Sequence, residues 1–194
     1  LIGSGESGIG NGKSNRTPAL SIHDSRFPIP GLTMNILLAL ASLSGNTRDV
    51  ARSVALQCEA AGHVVTWVET DLQRLAQVPH APGQYDLFLL GSWTDNGGRT
   101  PTEMKRFIVE LVETLGKPPQ VAVFGTGETQ WGEDYFCGAV HRIARFFDSP
   151  FPRLTIEQMP HGVRDAHAIA AWTDEVLAQC KNDPHDADHY RHVA

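Results

Sequence analysis

Three hydroxyl side chains, one amide and one glycine fall within six consecutive residues, Ser42-Leu43-Ser44-Gly45-Asn46-Thr47. An apolar run, Ile36-Leu37-Leu38-Ala39-Leu40, precedes them, and an amphipathic pattern follows. A strand that enters such a loop and leaves it as a helix makes a socket for a phosphate monoester. The first N–H groups of the helix have no partner of their own and carry partial positive charge. Ser42, Ser44 and Thr47 add hydroxyl donors, while Gly45 lets the backbone come close to the anion. The loop lacks the Gly-Lys-Ser/Thr ending of a nucleoside triphosphate site and the three glycines of a dinucleotide site. A single terminal phosphate is the group it suits.

Two further loops share the same kind of position. One is Gly91-Ser92-Trp93-Thr94-Asp95-Asn96-Gly97-Gly98-Arg99-Thr100, after an apolar run at 85–91. The other is Gly125-Thr126-Gly127-Glu128-Thr129-Gln130-Trp131-Gly132-Glu133-Asp134-Tyr135, after a run at 120–125. Each pairs glycines with a tryptophan. A planar, electron-poor isoalloxazine ring needs aromatic faces for stacking, at about 0.5–1.5 kcal/mol beyond area burial. It also needs backbone groups along its edge, which glycine-rich loops supply. Phosphate socket and ring loops together point to FMN.

The elements that must bring these loops together are legible as alternating apolar runs and helical stripes. The runs are 35–41, 63–68, 85–91, 120–125 and 153–158. Val50/Val54/Cys58, Met104/Phe107/Ile108/Leu111/Val112/Leu115, Phe136/Ala139/Val140/Ile143/Phe147 and Ile169/Trp172/Val176/Leu177 recur at helical spacing. Thr100-Pro101-Thr102-Glu103 reads as an N-cap, a first-turn proline and a capping-box glutamate. Gly62 and Gly116 read as helix stops, and 72–80 stays ambiguous. The alternation predicts an α/β fold: a three-layer, doubly wound sheet of five parallel strands. Ligands of such sheets bind beyond the carboxyl ends of the strands, where the winding reverses.

The 194 residues, 41% of them hydrophobic, predict one core, a folded domain at 34–180, a flexible leader at 1–33 and a polar tail at 181–194. Met34 reads as the natural start of the domain. The leader holds a decoy, Gly5-Glu6-Ser7-Gly8-Ile9-Gly10-Asn11-Gly12-Lys13-Ser14, with Ser7 in place of the first P-loop glycine and no strand before it. The tail clusters Asp183, His185, Asp186, Asp188, His189 and His192 without apolar residues to fix metal-ligand geometry. No run approaches the ~20 apolar residues of a membrane span, and no segment has signal-peptide form. A cytoplasmic location is expected, with Cys58, Cys137 and Cys180 as packing residues. The net charge of −6 argues against nucleic-acid binding and suits docking onto basic protein surfaces.

The chain resembles the flavodoxin family over roughly 35–180. Ser42-x-Ser44-Gly45-x-Thr47 is similar to its phosphate signature, and Tyr85-Asp86-Leu87-Phe88-Leu89-Leu90-Gly91-Ser92 to the strand leading into its first ring loop. Gly125-Thr126-Gly127-Glu128, Trp131 and Tyr135-Phe136-Cys137-Gly138-Ala139-Val140 resemble its second ring loop and the following helix. Two departures stand out: Asp95 occupies the column of the family's first stacking tryptophan, with Trp93 displaced toward the strand, and Arg99 stands where acids are common. Gly127-Glu128-Thr129-Gln130-Trp131-Gly132 and Asn96-Gly97-Gly98 are also similar to loops of NrdI proteins, the flavodoxin-like activators of class Ib ribonucleotide reductase. Glu128 and Gln130 replace the two asparagines of that pattern.

The resemblance implies an FMN protein that passes single electrons between proteins, with a flavin reductase as donor. A ribonucleotide reductase small subunit is the acceptor if the NrdI likeness governs. It assigns the phosphate to Ser42, Leu43, Ser44, Gly45, Asn46 and Thr47. It assigns the ring to Ser92, Trp93, Thr94, Asp95, Asn96, Gly97, Gly98, Gly125, Thr126, Gly127, Glu128, Gln130, Trp131, Tyr135 and Cys137. Trp131 is expected to stack on the ring, Glu128 to serve its pyrimidine edge, and the Gly97 or Gly98 carbonyl to meet its reduced nitrogen. A nicotinamide-dependent quinone reductase is the enzymatic alternative, but no insertion builds a nicotinamide pocket. A signalling receiver domain needs acids where Ala41-Ser42 and Gly91-Ser92 stand.

Overall fold

A computed structural model describes residues 33–158 and 160–181. The decoy loop and the His/Asp-rich tail lie outside them. Five strands, β1 (Asn35–Ala41), β2 (Val64–Glu69), β3 (Leu87–Trp93), β4 (Val121–Gly127) and β5 (Leu154–Glu157), form one sheet. Its order is β2-β1-β3-β4-β5, and every pairing is parallel. The helices α1 (Asn46–Ala60), α2 (Thr102–Leu115), α3 (Gly138–Phe147) and α4 (Gly162–Lys181) supply the crossovers. The ambiguous 72–80 stretch contributes a single 3-10 turn, Leu75–Gln77.

Along β1 the side chains divide between two cores. Ile36, Leu38 and Leu40 join Val50, Val54, Ile169 and Trp172 under α1 and α4. Leu37, Ala39 and Ala41 join Met104, Phe107, Val140 and Ile143 under α2 and α3. Burial on both faces is why this strand reads as a continuous apolar run rather than an alternation. Chain order reverses across β1, which lies between β2 and β3, so the loops after β1 and β3 leave in opposite directions and open a crevice.

Four sequence expectations shift. β3 and β4 each run two residues farther than their apolar runs, so Ser92, Trp93, Thr126 and Gly127 also belong to strands. A Cβ on Gly91 would lie 2.4 Å from the Phe124 ring, and one on Gly125 would lie 2.1 Å from the Ser92 carbonyl oxygen. These glycines therefore serve strand packing, not turns. At α2 the cap residue is Pro101 and no side chain caps the helix; Glu103 instead accepts a 2.8 Å hydrogen bond from the Trp93 indole. Cys137 immediately precedes α3 in a left-handed conformation (φ 48°). All three cysteines are buried and reduced, and burial pushes the Cys58 and Cys137 thiols up to about 12.

His63 is buried where β2 begins. Its Nδ1 accepts the Met34 N–H at 3.2 Å, and its Nε2 has no hydrogen-bond partner among the described residues. Burial, reinforced by Lys181, holds its pKa below the usual histidine value. An unfolded chain takes up a proton near pH 6.5 while the folded one resists it. Stability is therefore complete above that pH and falls as pH drops from about 6.5 toward the folded value, by at most about 1.4 kcal/mol per pH unit for this proton. His141 shifts in the same direction. Urea midpoints from pH 7.5 to 5.0 should decline, and His63→Gln should flatten part of that decline.

Candidate functional site

The crevice at the carboxyl ends of β1, β3 and β4 is a cleft of about 490 Å³. Its floor at one end is the 42–47 loop. Gly45 stands at φ 98°, a conformation that favours glycine, and turns the chain into α1. Asn46 and Thr47 open the helix, and Asp49 N–H makes the first hydrogen bond back, to the Gly45 carbonyl at 3.0 Å. Arg48 N–H is satisfied by Ser42 Oγ at 3.2 Å. Among the described residues the N–H groups of Ser44, Gly45, Asn46 and Thr47 have no acceptor. Four adjacent unpaired donors at a helix start meet the requirement of a terminal phosphate.

Among the described residues, the cation beside this loop, Arg48, is already paired. Arg48 binds Glu69 through Nε and Nη2, at 3.0 and 2.7 Å, which holds the Glu69 carboxyl below the usual carboxylate range. That pair fixes the first turn of α1 to the end of β2. An anion here is held by amide dipoles.

The ring-sized part of the cleft lies between the second and third loops. Asp95 and Arg99 exchange two backbone hydrogen bonds, at 2.9 and 3.1 Å, closing a tight hairpin with Gly97 and Gly98 at its tip. The hairpin is seated against α3. A Cβ on Gly138 would lie 2.5 Å from the Gly98 carbonyl oxygen, and Arg142 Nε donates to that same oxygen at 2.9 Å. The third loop is braced by β5: Thr129 N–H donates to Glu157 at 3.0 Å, and Gln158 N–H donates to the Gly127 carbonyl at 2.8 Å. Trp131 stands on this loop 69% exposed, with its indole N–H on Glu128 at 2.9 Å. An exposed tryptophan beside a half-exposed tyrosine, Tyr135, leaves apolar surface for a planar ligand to cover.

Fourteen of the expected residues reach the cleft: Leu43, Ser44, Asn46, Trp93, Thr94, Asp95, Asn96, Gly97, Gly98, Thr126, Gly127, Glu128, Trp131 and Tyr135. Seven do not. Ser42 caps α1 through its hydroxyl, and Gly45 shapes the turn rather than the wall. Thr47 is fully buried, its hydroxyl 2.8 Å from that of Thr126, so it ties the phosphate loop to β4. Ser92 donates to the Trp93 carbonyl at 2.8 Å inside β3, and Gly125 is packed within β4. Gln130 hydrogen-bonds the Glu128 side chain. Cys137 points its sulfur at the Gly125 and Ile156 carbonyls. Glu128 itself receives the Gln130 and Trp131 side chains, so its carboxylate orients the indole. Arg99 pairs with Asp95 at 3.8 Å.

One lining residue, Gln158, was not expected. It sits at the end of β5 with φ 51°, and only its place beyond a strand's carboxyl end points to the cleft.

The family model for flavodoxin matches residues 38–165, well over half of the chain. The chain belongs to the flavodoxin family. A flavodoxin from Nitratidesulfovibrio vulgaris (strain Miyazaki F) is 29% identical over 153 residues, covering 74% of this chain and 97% of the relative. Oxidised flavodoxin 2 of Bacillus cereus is 28% identical with a TM-score of 0.62, over 75% of this chain and 99% of that one. A Fusobacterium nucleatum flavodoxin variant bound to flavin mononucleotide shares the fold at 12% identity and a TM-score of 0.58, over 76% of this chain and 97% of that one. The cofactor of this flavodoxin is FMN, and its function is flavodoxin-type electron transfer. The unpaired amides at 44–47, the uncovered Trp131 and the glycine hairpin border one cleft. Among the described residues no helix is long and apolar enough to cross a membrane.

Proposed function

We propose that this flavodoxin shuttles single electrons between protein partners, taking them from a flavin reductase. The observation that carries the reading is a cleft that opens at the sheet edge and is rimmed by an uncovered tryptophan. Such a cleft leaves one side of its ligand accessible to another protein. The chemistry that FMN supplies when bound is uptake and release of one electron at a time.

The chain's own residues bind and orient. Backbone N–H groups of 44–47, with the Ser44 hydroxyl, hold the phosphate. Trp131, oriented by Glu128, would cover the ring, and Trp93, anchored on Glu103, would form a fixed part of the cleft wall. The Gly98 carbonyl is held by Arg142, which leaves the Gly97 carbonyl, on the exposed hairpin tip, to meet the ring edge. The Cys137 thiol behind Gly127 is buried and pushed up to about 12, so it stays a protonated packing group. An NrdI-type role in a cytoplasmic reductase system rests on the Asn96-Gly97-Gly98 hairpin and the Trp131 loop.

The purified FMN-loaded protein should reduce cytochrome c when coupled to a flavodoxin reductase and NADPH. It should not oxidise NADPH by itself. Sustained NADPH oxidation without the reductase would replace the carrier reading with the quinone-reductase one.

A further inference from the structure

A second groove lies beside the FMN cleft, along the outer face of α3 and the lead-in to β5. Gly98 lines both. Its charged lining comprises Arg142, Arg145, Arg153 and His141 against one carboxylate, Asp134. This is a concentration of positive charge on a chain whose net charge is −6. Among the described residues none of these three arginines forms an ion pair. Arg142 spends its Nε on the Gly98 carbonyl, and Arg153 Nη1 donates to His141 Nδ1 at 3.3 Å. The Arg145 side chain makes no hydrogen bond or ion pair among the described residues. Burial, with Arg153 and Arg145, holds the His141 pKa below its usual value.

Resting on the carrier reading above, we propose that this groove docks an acidic segment of a redox partner protein. Three like charges in one groove repel one another, and carboxylates brought by a partner remove that repulsion. Arg142 and Arg145 lie on α3 and Arg153 just before β5, and Arg142 and Arg153 are engaged by different partners, the Gly98 carbonyl and His141, an arrangement spread along the groove rather than gathered around one phosphate. Several carboxylates along an extended segment match that dispersion. Position fits the task as well. A partner seated here touches the hairpin that closes the FMN cleft, and its charge steers encounter toward that edge. The overall acidity of the chain suggested basic partners; the surface beside the cofactor selects the opposite sign.

The test uses the FMN-loaded full chain, hexaglutamate as probe, low ionic strength and amide NMR. Saturable shifts are expected at Gly98, His141 and Arg145, with none there from hexalysine. Arg145→Glu with Arg153→Glu should weaken hexaglutamate at least tenfold and leave FMN affinity unchanged. Arg145→Gln with Arg153→Gln, which avoids new charges, should give a smaller loss in the same direction. Unchanged hexaglutamate binding in both double variants would overturn the proposal, as would inorganic phosphate binding as tightly as the peptide. Hexaglutamate binding to a chain that takes up no FMN would overturn the redox-docking role while showing that the carrier reading had failed for its own reason.

Discussion

Riboflavin should bind this flavodoxin at least about a hundredfold more weakly than FMN. The difference between the two ligands is the phosphate, and the 42–47 loop presents four N–H donors without acceptors plus the Ser44 hydroxyl. Hydrogen bonds to a charged group contribute about 1.5–3 kcal/mol each. Two of them already exceed the ~2.8 kcal/mol that a hundredfold change requires. Thr47→Ala acts differently from Ser44→Ala, because the Thr47 hydroxyl bonds Thr126 inside the sheet edge. Ser44→Ala should weaken FMN alone, whereas Thr47→Ala should also lower thermal stability. Because Arg48 is already paired with Glu69, FMN affinity should depend only weakly on salt. Isothermal titration with both flavins at two ionic strengths reads all of this, and equal affinities would remove the loop from the binding account.

Trp131→Ala should be the most damaging ring-loop substitution, weakening FMN by about 1–3 kcal/mol through lost burial and stacking. In the absence of ligand the indole is 69% exposed, so its apolar area is available to be covered on binding. Trp93 is half-buried against the α2/α3 core and anchored on Glu103, so much of its area is already covered. Trp93→Ala should therefore cost fold stability more than FMN affinity. Flavin fluorescence separates the two: the Trp131 variant should recover part of the quenched emission, and the Trp93 variant little. The reverse order would mean that the Trp131 loop does not cover the ring.

Much of this fold is written in the order of the residues. β1 is apolar on both faces because helices cover both, and the hydroxyl-glycine loop after it has one structural reading. The stripes at 104–115 and 136–147 mark α2 and α3 because their buried positions repeat every three to four residues. The ends of β3 and β4 were obscured for a physical reason. Gly91 and Gly125 look like turn residues, yet a side chain there would collide with the Phe124 ring or the Ser92 carbonyl. Side-chain destinations were the least legible. Thr47, Cys137 and Glu103 find partners 79, 12 and 10 residues away, respectively, and no local pattern distinguishes those partners from a ligand. Gln158 had no signal beyond its place at a strand end. The basic groove was hidden by net charge, which averages over a surface that is locally of opposite sign.

Potentiometric titration of the FMN-loaded protein tests the central claim most directly. A single-electron carrier must hold its cofactor so that the two electrons arrive at distinct potentials. The glycine hairpin at 95–99, fixed at Gly98 by Arg142 and exposed at Gly97, is the element placed to respond to that change in charge. The visible spectrum, followed with mediators under argon, should resolve two one-electron steps. A single unresolved two-electron step would contradict the account.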